Sequence, residues 1–218
     1  MVRTINGIKV PIGDDKKKKK GAAAAAVAVV VGGAVAVGTG GTGGGAAALE
    51  SGSGSSAQIK TSSKDSARKG KHEDAMRRLG LKTIKKNLKR ELKCAPFAFG
   101  QVQQFFLRHP CKSLSRMLLP LADGSGNTVV VTIAWVRMPK AAEASDLREL
   151  ADRGGTGNIY ALPDALLKAA GVQFTGDHYR SRRDGSLVVI AEATSGGGRP
   201  STRVLDDVAE VAVEFPAP

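Results

Sequence analysis

The residues best suited to chemistry are consecutive and lie late in the chain. One short segment carries a carboxylate, an imidazole, a phenol and a guanidinium, on Asp177, His178, Tyr179 and Arg180. An imidazole beside a carboxylate can act in general acid–base catalysis. Side chains alternate along a strand, however, so Asp177 and Tyr179 are expected on one face and the other two residues on the opposite face. We therefore predict a solvated strand end, with Glu192 on the facing strand as the partner of Arg180, and no catalytic centre.

Together with these four residues, two further residues are candidate contacts for a ligand or a partner. Arg199 ends a GGGR sequence, which is glycine-rich like a phosphate-binding loop but lacks the lysine and the strand–loop–helix context of a P-loop. Trp135 lies in the most β-branched segment, where it is expected in the core or, on an open sheet face, as a stacking surface. No metal site is predicted because neither a CxxC nor an HxxxH spacing occurs. No cofactor is predicted.

The only two cysteines, Cys94 and Cys111, are separated by sixteen residues. This spacing excludes a CxxC redox pair. In an oxidising compartment an even number of cysteines favours a disulfide, which would stabilise the fold by about 3 kcal/mol through loop closure. The alternative is a pair of buried thiols in a cytosolic protein.

The positive charge is confined to the N-terminal part of the sequence. The formal net charge is +13, and residues 1–93 carry all of it. Residues 94–218 hold 13 Lys or Arg and 13 Asp or Glu. A basic binding face spread over the C-terminal part is therefore not indicated.

The N-terminal charge flanks an apolar stretch. Residues 1–20 form a basic flank that ends in Lys16, Lys17, Lys18, Lys19 and Lys20, and residues 21–45 are uncharged and rich in Ala, Val and Gly. Lysines before an apolar segment are typical of membrane insertion with the N-terminus in the cytoplasm. Three interpretations follow for this stretch: a single-pass anchor, a cleaved secretory signal, or a disordered low-complexity tract.

Two connecting segments lead from this stretch to the C-terminal part. Residues 46–75 have the Gly/Ser-rich and charged composition of a flexible linker. Residues 76–93 place Leu81, Ile84, Leu88 and Leu92 three or four positions apart between lysines, which predicts a basic amphipathic helix. Such a helix could lie on anionic lipid or a polyanion, or dock on the domain that follows.

Residues 94–218 predict one α+β domain of two layers, an antiparallel sheet of three to four strands with helices on one face. The strand signals are the β-branched run 127–138 and two alternating segments around an Asp-Gly turn at 184–185. Helices are predicted over residues 99–107, 114–121, 140–152 and 203–214.

These observations lead to two functional hypotheses. The first is a membrane-anchored or exported cell-envelope protein whose small extracytoplasmic domain, without enzymatic activity, binds a small ligand or an envelope protein, with membrane lipid as a further partner. The second is a cytosolic nucleic-acid-associated protein that binds through its Lys/Arg-rich arm. An enzyme would require a nucleophile or carboxylate brought to His178 from elsewhere in the fold.

Overall fold

The computed structural model describes residues 2–5, 8–11, 56–165, 168 and 170–218. The candidate anchor at 21–45 and its lysine flank at 16–20 lie outside the described residues. Two compact units make up the chain, Met1–Leu49 and Glu50–Pro218. Within the described ranges, no helix is both long and apolar enough to cross a bilayer.

The N-terminal unit contains a two-stranded antiparallel sheet of β1 (Val2–Ile5) and β2 (Ile8–Pro11). Val2 lies opposite Pro11, and Ile5 lies opposite Ile8. Alternation of apolar and polar residues in IKVP is the local pattern that suits a strand.

The C-terminal unit contains helices, a 3-10 turn and a six-stranded sheet. The helices are α1 (Ser56–Arg68), α2 (His72–Arg78), α3 (Gly100–Arg108), α4 (Ala141–Ala151) and α5 (Thr202–Ala212), and the 3-10 turn spans Ala95–Phe97. The strands are β3 (Lys82–Thr83), β4 (Asn87–Glu91), β5 (Ser113–Ala122), β6 (Thr128–Arg137), β7 (Tyr179–Asp184) and β8 (Leu187–Gly197).

All neighbouring strands of the large sheet are antiparallel. The order is β3-β5-β6-β8-β7, and β4 also pairs with β5 beside β3. Six strands replace the three to four predicted because the segments 82–91 and 113–122 also join the sheet. The predicted hairpin around Asp184 and Gly185 is confirmed as β7–β8.

Helices cover both faces of the sheet, which corrects the prediction of helices on one face. On the first face, α1, α2 and α5 pack on alternate sheet residues such as Met117, Ile133 and Val189. On the second face, α3 and α4 pack on the intervening residues such as Ala134 and Val188. The central strand β6 is therefore buried from both sides, which suits its β-branched sequence.

The helix predicted over residues 114–121 is wrong, because this segment forms the central part of β5. The helix prediction rested on Pro120 as a stop signal. In the structure the Pro120 carbonyl accepts a hydrogen bond from the Ile84 N–H at 2.9 Å, in the interval between β3 and β4. Pro120 has no N–H with which to return a bond to Ile84, and the partner strand is interrupted at this point, between β3 and β4.

The predictions for residues 46–75 and 76–93 are also corrected. Helices α1 and α2 occupy much of the predicted linker, and Ser63, Ser66 and Ala67 of α1 are buried. The amphipathic helix predicted over 76–93 is replaced by the end of α2 and by β3 and β4. Gly80, with φ of 78°, ends the helical segment, and pairing with β5 then fixes the chain as strand.

Candidate ligand-binding cleft

A cleft of about 520 Å³ lies on the second face of the sheet, beyond the part that α3 and α4 cover. Its floor is a row of residues paired across three strands, in which Leu118 lies opposite Thr132 and Thr132 opposite Glu192. Small-molecule sites commonly have volumes of about 300–1,000 Å³. The size of this cleft therefore suits a small ligand.

The walls of the cleft are largely apolar and come from one connection, between α4 and β7. Ile159 and Leu162 line one side, and Val172 and Phe174 line the other. Leu162 is buried against Val130 and Leu118, and Val172 and Phe174 pack against this cluster. An apolar ligand would therefore lose its water contacts on three sides.

Main-chain hydrogen bonds attach the first wall to the segment that precedes α3. The Phe99 N–H donates to the Asn158 carbonyl at 3.0 Å, and the Tyr160 N–H donates to the Phe97 carbonyl at 2.8 Å. The two backbones cross closely at Gly157, where an added Cβ would lie 2.1 Å from the Phe99 carbonyl oxygen. Only glycine permits this approach, so the wall depends on Gly157.

A disulfide encloses the segment that carries this wall. Cys94 and Cys111 are bonded, with their Cα atoms 6.0 Å apart. The bond confirms the predicted pair and joins the residue before the 3-10 turn to a residue two positions before β5. Because the wall is hydrogen-bonded inside this closed loop, the disulfide also restrains one side of the cleft.

Arg116 of β5 supports the same wall from beneath. Its side chain is about 5% exposed and forms an ion pair with Glu91 at 2.8 Å. It also donates to the Tyr160 carbonyl at 2.9 Å and lies over the Phe97 ring at 4.3 Å. A buried guanidinium with a carboxylate, a carbonyl and an aromatic face holds these three elements together.

Glu192 supplies the principal charge of the cleft floor. Its residue exposure is 6%. Burial raises the pKa of the Glu192 carboxyl, and the Gly176 N–H, which donates to Oε1 at 2.5 Å, opposes that rise. A carboxylate has about four acceptor positions, so it can accept further donors from a ligand.

Two aromatic rings flank the mouth of the cleft. Phe99 and Tyr160 are 39% and 52% exposed, and their ring centroids are 4.9 Å apart. Exposed aromatic side chains next to an apolar cavity can extend the contact with a ligand. The arrangement can therefore bind an apolar body, with one polar group directed at the floor.

The side chains of the predicted cluster at 177–180 contact different parts of the fold, and only Tyr179 and Arg180 lie in β7. His178 Nδ1 lies 3.1 Å from Asp206 Oδ1 of α5, and Arg180 also pairs with Asp206, at 3.4 Å. Arg180 makes a second ion pair with Glu210, at 3.5 Å. The partners of Arg180 are thus on α5, and the prediction that it pairs with Glu192 is wrong.

The remaining members of that cluster have different surroundings. The Tyr179 hydroxyl donates to Asp152 at 3.1 Å, and burial followed by the Asp152 charge raises the pKa of Tyr179. Asp177 is exposed and accepts a hydrogen bond from the Thr175 hydroxyl at 2.7 Å. The Asp206 carboxylate is thus the group from elsewhere in the fold that reaches His178, and it is shared with Arg180. These contacts join β7 to α4 and α5.

Trp135 and Arg199 do not line the cleft. Trp135 is buried on the first face, and its Nε1 donates to the Phe215 carbonyl at 2.9 Å. Arg199 is exposed, and its main-chain N–H donates to Asn127 Oδ1 at 2.8 Å. Trp135 is therefore a core residue, whereas the assignment of Arg199 as a ligand contact stays a prediction.

The residues of the cleft were not identified from the sequence. The detectable signal was Glu192, the one charged residue in the apolar run from Leu187 to Thr194. Among the described residues, no group of three or more His, Cys, Asp or Glu is arranged to hold a metal ion. Comparison of the chain with known protein families, with curated proteins and with solved structures finds no match.

Proposed function

We propose that this protein is an exported or membrane-anchored cell-envelope protein whose C-terminal domain binds a small, largely apolar ligand in the cleft. The observation that carries the proposal is the buried Glu192 carboxyl at the floor of a cleft whose walls are largely apolar. A buried carboxyl group between such walls selects for a donor group on the ligand. The ligand class is therefore an apolar molecule with one ammonium or hydroxyl group.

The extracytoplasmic location is supported by the Cys94–Cys111 disulfide. Such bonds persist in oxidising compartments and are rare in the cytosol. The lysine flank before residues 21–45 also predicts that the N-terminus lies in the cytoplasm and the domain outside. We assign a non-enzymatic binding role because the walls of the cleft are largely apolar; its charged lining residues are Glu192, Asp164 and Lys168.

The alternative of nucleic-acid binding through the basic arm is less well supported. The three cations in residues 60–68 contact acidic residues of α5 or just after it: Lys60 with Asp207, Lys64 with Glu210 and Arg68 with Glu214. These charges are neutralised within the fold. They are therefore poorly placed to bind phosphates.

The ligand class is tested by calorimetric titration of the full chain with octylamine, octan-1-ol and octanoate. The amine is expected to bind best and octanoate worst, because a second carboxylate would face Glu192. Glu192→Gln should weaken octylamine binding roughly tenfold to a hundredfold, the range for a hydrogen bond to a charged group. It should change octanol binding little.

The matched control is Glu149→Gln, which alters a carboxylate on α4 with 76% side-chain exposure. Octylamine affinity should be unchanged in this variant. The proposal fails if none of the three compounds binds saturably, or if the two Gln variants bind octylamine equally well.

The location is tested separately by fractionation and thiol labelling of the intact chain. Membrane pelleting that resists high salt, with no maleimide-reactive thiol before reduction, is the expected result. Release by moderate salt together with two reactive thiols would support the nucleic-acid alternative, because phosphate binding is salt-dependent.

A further inference from the structure

One edge of the large sheet is strongly basic. Residues 82–93, termed here the basic edge, comprise β3, β4 and their flanks and contain six Lys or Arg and one Glu. All six cations are exposed. The single acid, Glu91, is paired with the buried Arg116 and does not offset the surface charge.

Most of these cations have no ionic partner. Lys85 forms an ion pair with Asp164 at 3.5 Å. In the part of the chain that the structure describes, no ion pair is formed by the other five, which are Lys82, Lys86, Lys89, Arg90 and Lys93. The cations of α1, in contrast, are paired with α5. The basic edge is therefore a concentrated patch of available positive charge.

Large aliphatic side chains are exposed among these cations. Ile84, Leu88 and Leu92 are 60%, 38% and 83% exposed. They are three of the seven exposed large apolar residues in the described part of the chain. Pairing of Leu88 with Met117, and of Arg90 with Ser115, places an apolar and a cationic side chain side by side on the first face.

We infer that the basic edge binds the surface of an anionic lipid bilayer. Exposed lysines also protect an edge strand from pairing with another chain. That protective role would not require three exposed aliphatic residues. A nucleic-acid backbone would engage the cations and leave the aliphatic side chains in water. An anionic bilayer accommodates both, since phosphate groups attract the cations and the acyl boundary receives the apolar side chains.

This inference goes beyond the proposed ligand binding and depends neither on the cleft nor on residues 21–45. The basic edge would orient the domain on the membrane. Octylamine binding and bilayer contact are separate properties, so either proposal can fail while the other stands.

The test places a tryptophan at the basic edge of the full chain by the substitution Leu92→Trp. The matched control is Arg183→Trp, on the exposed end of β7 at the opposite edge of the sheet. Four strand spacings separate the two edges, roughly 19 Å. The native Trp135 is buried and contributes a constant background to both variants.

Each variant is mixed with vesicles of phosphatidylcholine alone or with one third phosphatidylglycerol, containing brominated acyl chains. Leu92→Trp should show a blue-shifted emission and quenching with the anionic vesicles only, and Arg183→Trp should show neither. If another segment tethered the protein to the vesicles, the emission of both tryptophan variants would change alike. Equal quenching of the two, or none at position 92, would overturn the inference.

Two further changes separate the charge from the apolar contribution. In the Leu92→Trp background, Lys89→Glu with Arg90→Glu should lower partitioning to anionic vesicles at least tenfold. In a second series on the otherwise unchanged chain, Leu88→Ser with Leu92→Ser should also weaken vesicle binding. A short DNA duplex is the competing probe. If the protein binds DNA, keeps that binding with the serine changes, loses it with the glutamate changes and does not contact vesicles, the ligand of the basic edge is nucleic acid and not lipid.

Discussion

Replacement of both cysteines by alanine removes the covalent closure of the segment that carries one wall of the cleft. The two cysteines are 17 residues apart in sequence, and loop-closure entropy for this length gives a loss of about 3 kcal/mol in the free energy of unfolding. Cys94 is 3% exposed, so the change also removes some buried contact, and 3 kcal/mol is the lower end of the expected loss. Alanine avoids the introduction of a buried hydroxyl.

The assays are urea unfolding and thermal unfolding of the full chain, both followed by circular dichroism, for the wild type and for Cys94→Ala/Cys111→Ala. The free energy of unfolding should fall by about 3 kcal/mol or more, and the melting temperature by roughly 6–12 °C, at about 2–4 °C per kcal/mol for a domain of this size. Wild type in the presence of dithiothreitol provides the control and should lose a similar amount. A loss below about 1 kcal/mol in the double variant would refute the reasoning, because the loop would then be ordered without its crosslink.

Three further predictions concern buried polar groups. Burial raises the pKa of Glu192, so the folded state binds its proton more tightly than the unfolded state does. The free energy of unfolding of Glu192→Gln should therefore increase relative to that of the wild type as pH rises from 4 to 7. A difference that does not change with pH in urea titrations would contradict this. Arg116→Met should lower the free energy of unfolding by about 3 kcal/mol, because Glu91 is left buried without its partner. A loss under about 1 kcal/mol in the same assay would show that the ion pair is dispensable. Burial, followed by the Lys86 charge, lowers the pKa of His72, so the protein should lose stability on acidification below pH 6.5. His72→Gln should reduce this loss of unfolding free energy between pH 7 and 5. An unchanged dependence of the unfolding free energy on pH would exclude His72 as the cause.

The sequence was informative where local pattern and tertiary environment agree. The β-branched run of β6 predicted a strand, and the Asp184-Gly185 turn predicted the β7–β8 hairpin. Helix α5 was also predicted, because its buried residues Val208 and Val211 and the following Phe215 form one stripe. In each case the residues that set the local conformation are also those that the core requires.

The errors arose where pairing with distant residues overrides the local pattern. Leu88 and Leu92 are four apart, as on a helix face, but hydrogen bonding with β5 determines the conformation of this segment. Helix α1 was missed because it has no apolar stripe. Its buried residues are small, and ion pairs such as Lys64 with Glu210 attach it to α5, which no periodicity could reveal.

The cleft could not be predicted because its parts are far apart in the sequence. Leu118, Thr132 and Glu192 become neighbours only through the register of three strands. The wall at Gly157 depends on a backbone crossing with Phe99 that has no sequence signature. The predicted cluster at 177–180 was chemically richer, but its side chains contact different parts of the fold.

The central claim is that the cleft is a binding site with Glu192 as its polar contact, and residue-specific NMR tests it most directly. Octylamine should shift the amide signals of Thr132, Phe174 and Glu192 saturably, with one dissociation constant, while signals of the basic edge stay in place. Shifts confined to the basic edge, or spread over the surface without saturation, would contradict the claim.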